Sequence, residues 1–484
     1  MLEVLAKRTC AEICLPTILV TAILSGLASG EGLLRVHPVN PRYFTDDSGR
    51  AIYLTGHQSF VDLQDNSFNK EFIRGRQRKL DWGAYLDFLS EHHFNYLRNW
   101  VIWSTGSGAM APINNAIASP MPYRRVEGKG KARDGRNKFD LYQFDEEFFL
   151  RMRRRYEDLQ ERGVYVSLML FEVYGFLEGE ACGTPQQTLW DGNVFNRTNN
   201  VNGIHADDNR DGKGIEFFYS DDERVLSLQR AYVKKVIDTL NHLDNVFYEI
   251  ANELYAPDWQ YQMIEFIKDY ERGKPKQHLV LMSPGGRTRT GQWQQMPRDV
   301  LLASPADCFA AAGSWNSGAY RRKDPPANNT EKPGFVDMDH VSAGSNDPGF
   351  VWSAFTRGYH FNLYDKPFES PDSEGTNWQQ VRRNVGQTLV YAQQLDLAKV
   401  VPRPDLASTR FCLANPGQQY VVYQPDDQAF EVSGLEAGDS YHSEWYDTQR
   451  CRVVENENVT CPSESHSFAP LGREMVLLLS RSRR

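Results

Sequence analysis

The stretch from Val246 to Glu253 constrains the fold of this chain more than any other segment. Its residues, Val-Phe-Tyr-Glu-Ile-Ala-Asn-Glu, begin with alternating β-branched and aromatic types, which is typical of a short buried strand. An amphipathic run from Arg224 to Leu240 and a polar turn at 241–245 precede it. The strand ends in Asn252 and Glu253, so it delivers two polar side chains to its carboxyl end, where α/β barrels carry out their chemistry.

The same alternation of amphipathic and buried segments continues along most of the chain. Apolar residues at helical spacing predict helices at 82–92, 145–162, 224–240, 259–270 and 378–395. Short apolar runs between them predict strands at 50–56, 94–100, 164–172, 246–253, 278–283, 306–313, 334–339 and 359–365. Eight strands alternating with helices predict an α/β fold, a (β/α)8 TIM barrel over residues 31–400.

A second domain is predicted after the barrel. Pro402 and Pro404 end the last helix, because proline cannot continue it. Short strands follow at 411–414, 419–424, 430–432, 441–446 and 474–479, separated by turn residues. Residues 403–484 are therefore predicted to form a small all-β sandwich.

The first 28 residues have the pattern of an export signal. Lys7 and Arg8 precede an apolar run from Ile13 to Leu27, and small residues then precede a polar stretch. Cleavage after Ala28 is predicted, which would make the protein secreted or periplasmic and free of the membrane. The alternative is a retained membrane anchor, which the internal Pro16 and the short run disfavour.

Composition excludes several classes of partner. The 484 residues carry a net charge of −9 and no basic block, so nucleic acid is not an expected partner. Five of the seven cysteines follow the signal without CxxC spacing, and Glu91-His92-His93 lacks the HExxH spacing, so neither a metal nor another cofactor is predicted. Cys451 and Cys461 flank a polar stretch and form either a disulfide or two buried thiols.

Several motifs together resemble a known clan. Asn252-Glu253 after a strand is similar to the fourth-strand signature of the (β/α)8 glycoside hydrolases. Three segments resemble the apiosidase-like barrels, whose function is largely uncharacterised and which carry a C-terminal β-sandwich labelled collagen-binding. These segments are residues 52–57, Asp339-His340 and residues 405–417. The resemblance extends over nearly all of the mature chain and implies a glycosidase that acts on a poly- or oligosaccharide.

The resemblance assigns the catalytic pair. Hydrolysis of a glycosidic bond needs two carboxyl groups, one protonated and one ionised. Glu253 matches the general acid/base, and Asn252 matches the residue that contacts the sugar. The clan places a Glu on the seventh strand as nucleophile, whereas this chain offers Asp337 and Asp339, of which Asp339 lies nearer the strand tip. A shorter Asp widens the gap between the carboxyl groups towards the separation of inverting sites, so retention of the anomeric configuration is only the favoured outcome. A backbone shift would restore the short gap, and Glu172 is the alternative second carboxylate.

Further side chains are expected to contact the substrate. Arg98 matches the second-strand arginine that hydrogen-bonds the nucleophile, and Glu249 is expected to pair with it deeper in the barrel. Glu172, at the tip of the third strand, is expected to bind a sugar hydroxyl. His57 and His340 are either hydroxyl ligands or core histidines. Aromatic rings stack on the C–H face of sugars, and the candidates for this role include Trp103 and Trp315.

These assignments predict a secreted glycoside hydrolase. The alternative from another class is a catalytically silent carbohydrate-binding or matrix-adhesion protein that retains the fold.

Overall fold

A computed structural model describes residues 32–59, 62–65, 79–105, 118–177, 188–311, 324–337, 347–364 and 376–482. The predicted export signal at 1–28 lies outside these residues. Among the described residues, no helix combines the length and the apolar character needed to cross a bilayer.

Fourteen strands lie in the part of the first 364 residues that the structure describes. They are β1 (Arg35–Val36), β2 (Phe44–Thr45), β3 (Thr55–Ser59), β4 (Tyr96–Trp100), β5 (Tyr123–Arg125), β6 (Phe139–Phe144), β7 (Tyr165–Glu172), β8 (Val246–Asn252), β9 (Val280–Met282), β10 (Gly285–Arg287), β11 (Trp293–Gln295), β12 (Cys308–Ala310), β13 (Gly334–Asp337) and β14 (His360–Leu363).

The described helices all precede residue 395. They are α1 (Trp82–Glu91), α2 (Glu146–Glu161), α3 (Leu189–Gly192), α4 (Glu223–Leu240), α5 (Pro257–Glu271), α6 (Arg298–Ala303), α7 (Pro348–Thr356) and α8 (Thr376–Gln394).

Eight of the strands close into a parallel barrel. Their order is β3-β4-β7-β8-β9-β12-β13-β14, and β14 pairs with β3 to complete the circle. The predicted (β/α)8 barrel is therefore confirmed. Because the strands are parallel, their carboxyl ends lie at the same end of the barrel. The loops after β7 and β9 lie at that end.

Local sequence explains where the helices begin. Asp81 caps α1 by accepting a hydrogen bond from the Ala84 N–H at 3.1 Å. Asp222 caps α4 in the same way, accepting from the Arg224 N–H at 2.9 Å. The helix α4 therefore starts at Glu223, directly after its capping residue.

The lower half of the barrel is filled by rings. Phe44, Tyr96, Phe247, Phe335 and His360 form this cluster, called here the lower lumen. Their ring centroids lie 4.8 to 6.1 Å apart where they meet. Burial lowers the pKa of His360 to about 3. Neutral His360 accepts the Leu54 N–H at Nδ1 and donates from Nε2 to the Arg42 carbonyl.

The predicted all-β region follows the barrel as an antiparallel arrangement. Its strands are β15 (Val401–Pro402), β16 (Cys412–Asn415), β17 (Gln419–Gln424), β18 (Phe430–Ser433), β19 (Ser440–Asp447), β20 (Arg452–Thr460), β21 (Ser465–Phe468) and β22 (Met475–Arg481). Six of them form one sheet in the order β15-β16-β17-β22-β19-β20, while β18 and β21 form a ribbon.

This sheet packs on the barrel through one face. Trp352 of α7 and Tyr391 of α8 share a buried cluster with Val421, Tyr446 and Val476 of the sheet. The opposite face of the sheet packs against the ribbon in a second cluster. The Tyr391 hydroxyl donates to Glu444 at 2.7 Å, which adds a polar contact to the apolar interface.

A disulfide between Cys451 and Cys461 is excluded. Both thiols are free, and strand β20 runs between them. A strand rises about 3.4 Å per residue, which places the two ends roughly 30 Å apart, whereas bridged Cα atoms lie within about 7 Å. The alternative of two buried thiols is correct for Cys461, whereas the thiol of Cys451 is only half-buried.

Candidate active site

A buried ion pair crosses the barrel above the lower lumen. Arg98 of β4 donates to Glu249 of β8 through Nε at 2.9 Å and Nη2 at 2.6 Å. Both side chains are nearly inaccessible to solvent. Arg98 also donates to Gln58 Oε1 at 2.9 Å, and Asn362 donates to the same oxygen at 3.0 Å. The predicted pairing of Glu249 with Arg98 is thus confirmed, and it fixes the guanidinium in one orientation.

The regular alternation of side chains between the two faces of a strand is interrupted at the end of β8. Arg98 Nη2 donates to Asn252 Oδ1 at 3.0 Å, so Glu249 and Asn252 contact the same guanidinium. Residues three apart in a regular strand point to opposite faces. The last residues of β8 therefore turn Asn252 back towards the interior, next to Glu253.

Glu253 has a backbone conformation that residues other than glycine seldom adopt. Its φ is +54°, in the left-handed region. The loop after β9 holds it there: the Arg287 N–H donates to the Glu253 carbonyl at 2.6 Å. A Cβ on Gly286 would lie 1.8 Å from the Glu253 carbonyl carbon, so only glycine permits this approach. The Glu253 side chain is half-buried at the rim.

Glu172 lies at the tip of β7, opposite Asn252 in the register of the two strands. The Gly175 N–H donates to both oxygens of its carboxyl group, at 2.8 and 3.1 Å. Burial raises the pKa of Glu172 to about 8, and the nearby charge of Glu253 adds to the rise, while backbone N–H groups oppose it. Glu172, Asn252 and Glu253 are called the rim here, because the three residues meet at the carboxyl ends of β7 and β8.

His57 and Trp103, both predicted to contact the substrate, lie outside the barrel lumen. His57 is 2% exposed, and its Nδ1 lies 2.8 Å from the Tyr85 hydroxyl of α1. Its ring also packs against Phe88 and Phe94. These contacts favour the alternative of a core histidine. The side chain faces outwards because Gln58, the next residue of β3, points to Arg98.

Trp103 is fully buried in an aromatic cluster behind the rim. Its ring stacks on Phe171 at 5.7 Å and meets Tyr232 of α4 edge-on at 4.7 Å. It packs as a core residue with no face open to a sugar. Its backbone N–H is nevertheless a hydrogen-bond donor to Glu172.

The remaining predicted site residues, Asp339, His340 and Trp315, lie outside the described residues. Strand β13 is described as far as Asp337, whose Cα partner in β14 is Asn362. The side chain of Asn362 reaches Gln58 and hence the Arg98 network. The seventh strand therefore runs beside the network of the ion pair.

The sequence analysis does not identify Gly286 as a support for Glu253. Tyr248 of β8 points outwards and donates to Glu271 of α5 at 3.3 Å. Gly286 supports Glu253 from 33 residues away, and its Gly285-Gly286 pair after a strand is the signal that marks a close backbone approach.

One acidic group in the described part of the chain could hold a metal ion. It consists of Asp207, Asp211 and Glu216, in the segment between β7 and α4. None of these residues was predicted as a ligand, although the spacing Asp-x-Asn-x-Asp-Gly at 207–212 could have identified them.

Comparison with known proteins gives the fold. Neither a protein-family model nor a curated protein matches this chain. A candidate glycoside hydrolase of known structure from Bacteroides vulgatus ATCC 8482 is 14% identical with a TM-score of 0.60, covering 94% of this chain and 83% of its own. A family 5 glycoside hydrolase from the same organism is 14% identical with a TM-score of 0.55, over 94% and 93%. A third structure, a glycoside hydrolase, is 12% identical with a TM-score of 0.56, over 95% and 98%. The chain has the fold of the glycoside hydrolase barrels.

Proposed function

We propose that this protein is a glycoside hydrolase that cleaves an O-glycosidic bond in a poly- or oligosaccharide. Glu253 is the general acid/base and Asp339 the nucleophile. The observation that carries the proposal is the placement of Glu253. Its half-buried carboxyl stands at the tip of the fourth barrel strand, in a left-handed conformation secured by Gly286, beside a second carboxyl group.

Backbone strain supports this assignment. A left-handed conformation at a residue other than glycine costs on the order of 1 kcal/mol, and such residues cluster at active sites. Here the loop after β9 offsets that cost with the hydrogen bond from Arg287. The result is an acid held at a fixed place on the rim, where it can protonate the oxygen of the leaving sugar.

Glu172 fits substrate binding better than nucleophilic attack. A nucleophile has to be ionised, whereas burial keeps Glu172 protonated at neutral pH. A protonated carboxyl group can donate a hydrogen bond to a sugar hydroxyl. Asp339 therefore remains the proposed nucleophile, with retention of configuration as the expected outcome.

Arg98 positions the rim rather than the substrate directly. Its guanidinium donates two hydrogen bonds to Glu249 and one to Gln58, and a fourth hydrogen bond, to Asn252 Oδ1, orients the Asn252 side chain. Because a charged pair in low dielectric has few alternative arrangements, Asn252 is preorganised for a hydroxyl next to the scissile bond.

The finer assignments rest on sequence motifs. The protein is proposed to be an apiosidase-like enzyme, exported through a signal at residues 1–28, with a barrel at 31–400 and a sandwich at 403–484. The packing of the sandwich on α7 and α8 supports a buttressing role for it.

A substrate panel tests the proposal. The purified mature chain is incubated with a broad set of poly- and oligosaccharides, and released reducing ends are measured. We expect release from at least one substrate, and loss of kcat by about 10² to 10⁴ in the isosteric Glu253→Gln variant. Glu265→Gln, an equal change at an exposed position of α5, is the matched control and should leave kcat unchanged.

The anomeric product separates retention from inversion. Proton NMR during the first turnovers should show the configuration of the substrate. If the panel yields binding but no product from any glycan, the chain is a carbohydrate-binding protein on a glycosidase fold.

A further inference from the structure

The loop between β7 and α4 gathers three carboxylates, with the His205 ring 3.9 Å from Asp207 and the charge of Arg289 acting on Glu216. One oxygen each of Asp207, Asp211 and Glu216 lies within 4.8 Å of the other two. Asp207 is 5% exposed and Glu216 is 1% exposed. Three like charges so close together, two of them buried, repel one another unless a positive charge or protons neutralise them.

Glu216 leaves one carboxyl oxygen without a partner. Its Oε1 accepts a hydrogen bond from Asn209 Nδ2 at 2.7 Å. Its Oε2 is buried and has no hydrogen-bond partner in the described part of the chain. Buried polar atoms of folded proteins are nearly always satisfied, so this oxygen is expected to contact an ordered water molecule or an ion.

The order of residues specifies the ligand. Asp207, Asn209, Asp211 and Gly212 occupy the first, third, fifth and sixth places of the pattern Asp-x-Asn-x-Asp-Gly, which begins the calcium loop of EF-hands. Gly212 has a φ of +83°, which suits the sharp turn at the sixth place. The acid that completes the set comes at the tenth place, as Glu216, and not at the twelfth as in an EF-hand.

We propose that Asp207, Asn209, Asp211 and Glu216 form a calcium site that stabilises the loop after the third barrel strand. The donor set consists of oxygens alone, which suits a hard cation and not zinc. Calcium fits better than magnesium, because it accepts irregular sets of carboxylate and amide oxygens without retaining most of its water.

The site connects to the rim through aromatic packing. Phe217 and Phe218 follow Glu216 directly, and both pack on Phe176, with ring centroids 5.0 Å apart. Phe176 follows Gly175, whose N–H holds the Glu172 carboxyl. An ion at Glu216 would therefore restrain the wall that positions Glu172.

Calcium binding to the full chain tests the proposal independently of any enzymatic activity. EGTA-treated protein is titrated calorimetrically with Ca²⁺ up to about 10 mM, a range that includes weak extracellular sites. We expect saturable binding of one ion. Tm should rise by about 3 °C at a hundredfold excess over Kd, and less with the same concentration of Mg²⁺.

Matched variants locate the ion. Glu216→Gln and Asp211→Asn should abolish the Tm rise, whereas Asp208→Asn, the same change at an exposed neighbour in the loop, should keep it. Without calcium, Glu216→Gln should melt at or above the wild-type Tm, because it removes a buried unpaired charge.

Two results would overturn the proposal. One is the absence of Ca²⁺ binding by EGTA-treated wild-type protein. The other is a wild-type Tm rise retained by Glu216→Gln, which preserves side-chain shape and so carries the test even if Asp211→Asn fails to fold.

Discussion

The lower lumen and the rim of the barrel hold their side chains by opposite means. In the lower lumen, rings from Phe44, Tyr96, Phe247 and Phe335 pack against one another on regular, alternating strands. At the rim, alternation fails at Asn252, Glu253 is left-handed, and Glu172 is a buried acid. One half of the barrel is built for stability, while the other carries the strain and buried polarity that the proposed chemistry would need.

The largest expected effect is a dependence of the free energy of unfolding on pH that comes from Glu172 of the rim. The pKa of Glu172 is raised from 4.5 to about 8, so the folded state retains a proton that the unfolded state releases. Its contribution is complete below about pH 4.5 and is lost as pH rises through about 8, which amounts to up to about 5 kcal/mol. Urea unfolding of wild type and Glu172→Gln across this range gives the contribution as a difference. Parallel curves for the two proteins would show that Glu172 titrates normally.

Phe247→Ala tests the lower lumen. Removing this fully buried ring should lower the free energy of unfolding by about 4 kcal/mol, because a cavity replaces its contacts with three aromatic neighbours. Below the transition, kcat should stay within about twofold of wild type, since the rim is intact. Phe247→Leu, which keeps most of the volume, should lose much less stability. A large loss of kcat in folded Phe247→Ala would contradict the claim that the lower lumen contributes to stability and not to activity.

Gly286→Ala tests how the rim is held. The added Cβ would meet the Glu253 backbone at 1.8 Å and has to displace it. Because a misplacement of about 1 Å can cost 10²-fold, we expect kcat to fall by about that factor. Gly472→Ala, at a position with open space around it, is the control. Unchanged kcat in Gly286→Ala would mean that the placement of Glu253 is not critical.

Tyr85→Phe should have the smallest effect. It removes the hydroxyl beside His57 and should cost about 1 kcal/mol in unfolding free energy, with KM unchanged. A several-fold rise in KM would instead return His57 to the substrate site.

Much of the fold could be predicted because periodicity and capping act locally. The predicted helix at 82–92 and the one at 145–162 end within a residue of α1 and α2. Strand β20 could not be found in this way. Its residues from Arg452 to Thr460 are largely exposed on both faces, so no apolar alternation marks it. Missing this strand left the disulfide alternative open.

The site could be predicted only in part. The Arg98–Glu249 pair is predictable from the sequence, since a charged residue inside a buried strand needs a partner, whereas the catalytic role of Glu253 stays a prediction. The conformation of Glu253 depends on Gly286, and the burial of His57 and Trp103 depends on packing against α1 and α4. Such contacts between distant segments are not encoded in local periodicity.

The most direct test of the central assignment is how the loss in Glu253→Gln depends on the leaving group. The rate of the first chemical step is measured for the glycan identified by the panel and for the matching dinitrophenyl glycoside, whose leaving group needs no proton. If Glu253 is the general acid, the variant should lose about 10² to 10⁴ in this rate on the glycan and little on the dinitrophenyl glycoside. An equal loss on both substrates, or none on the glycan, would contradict the assignment.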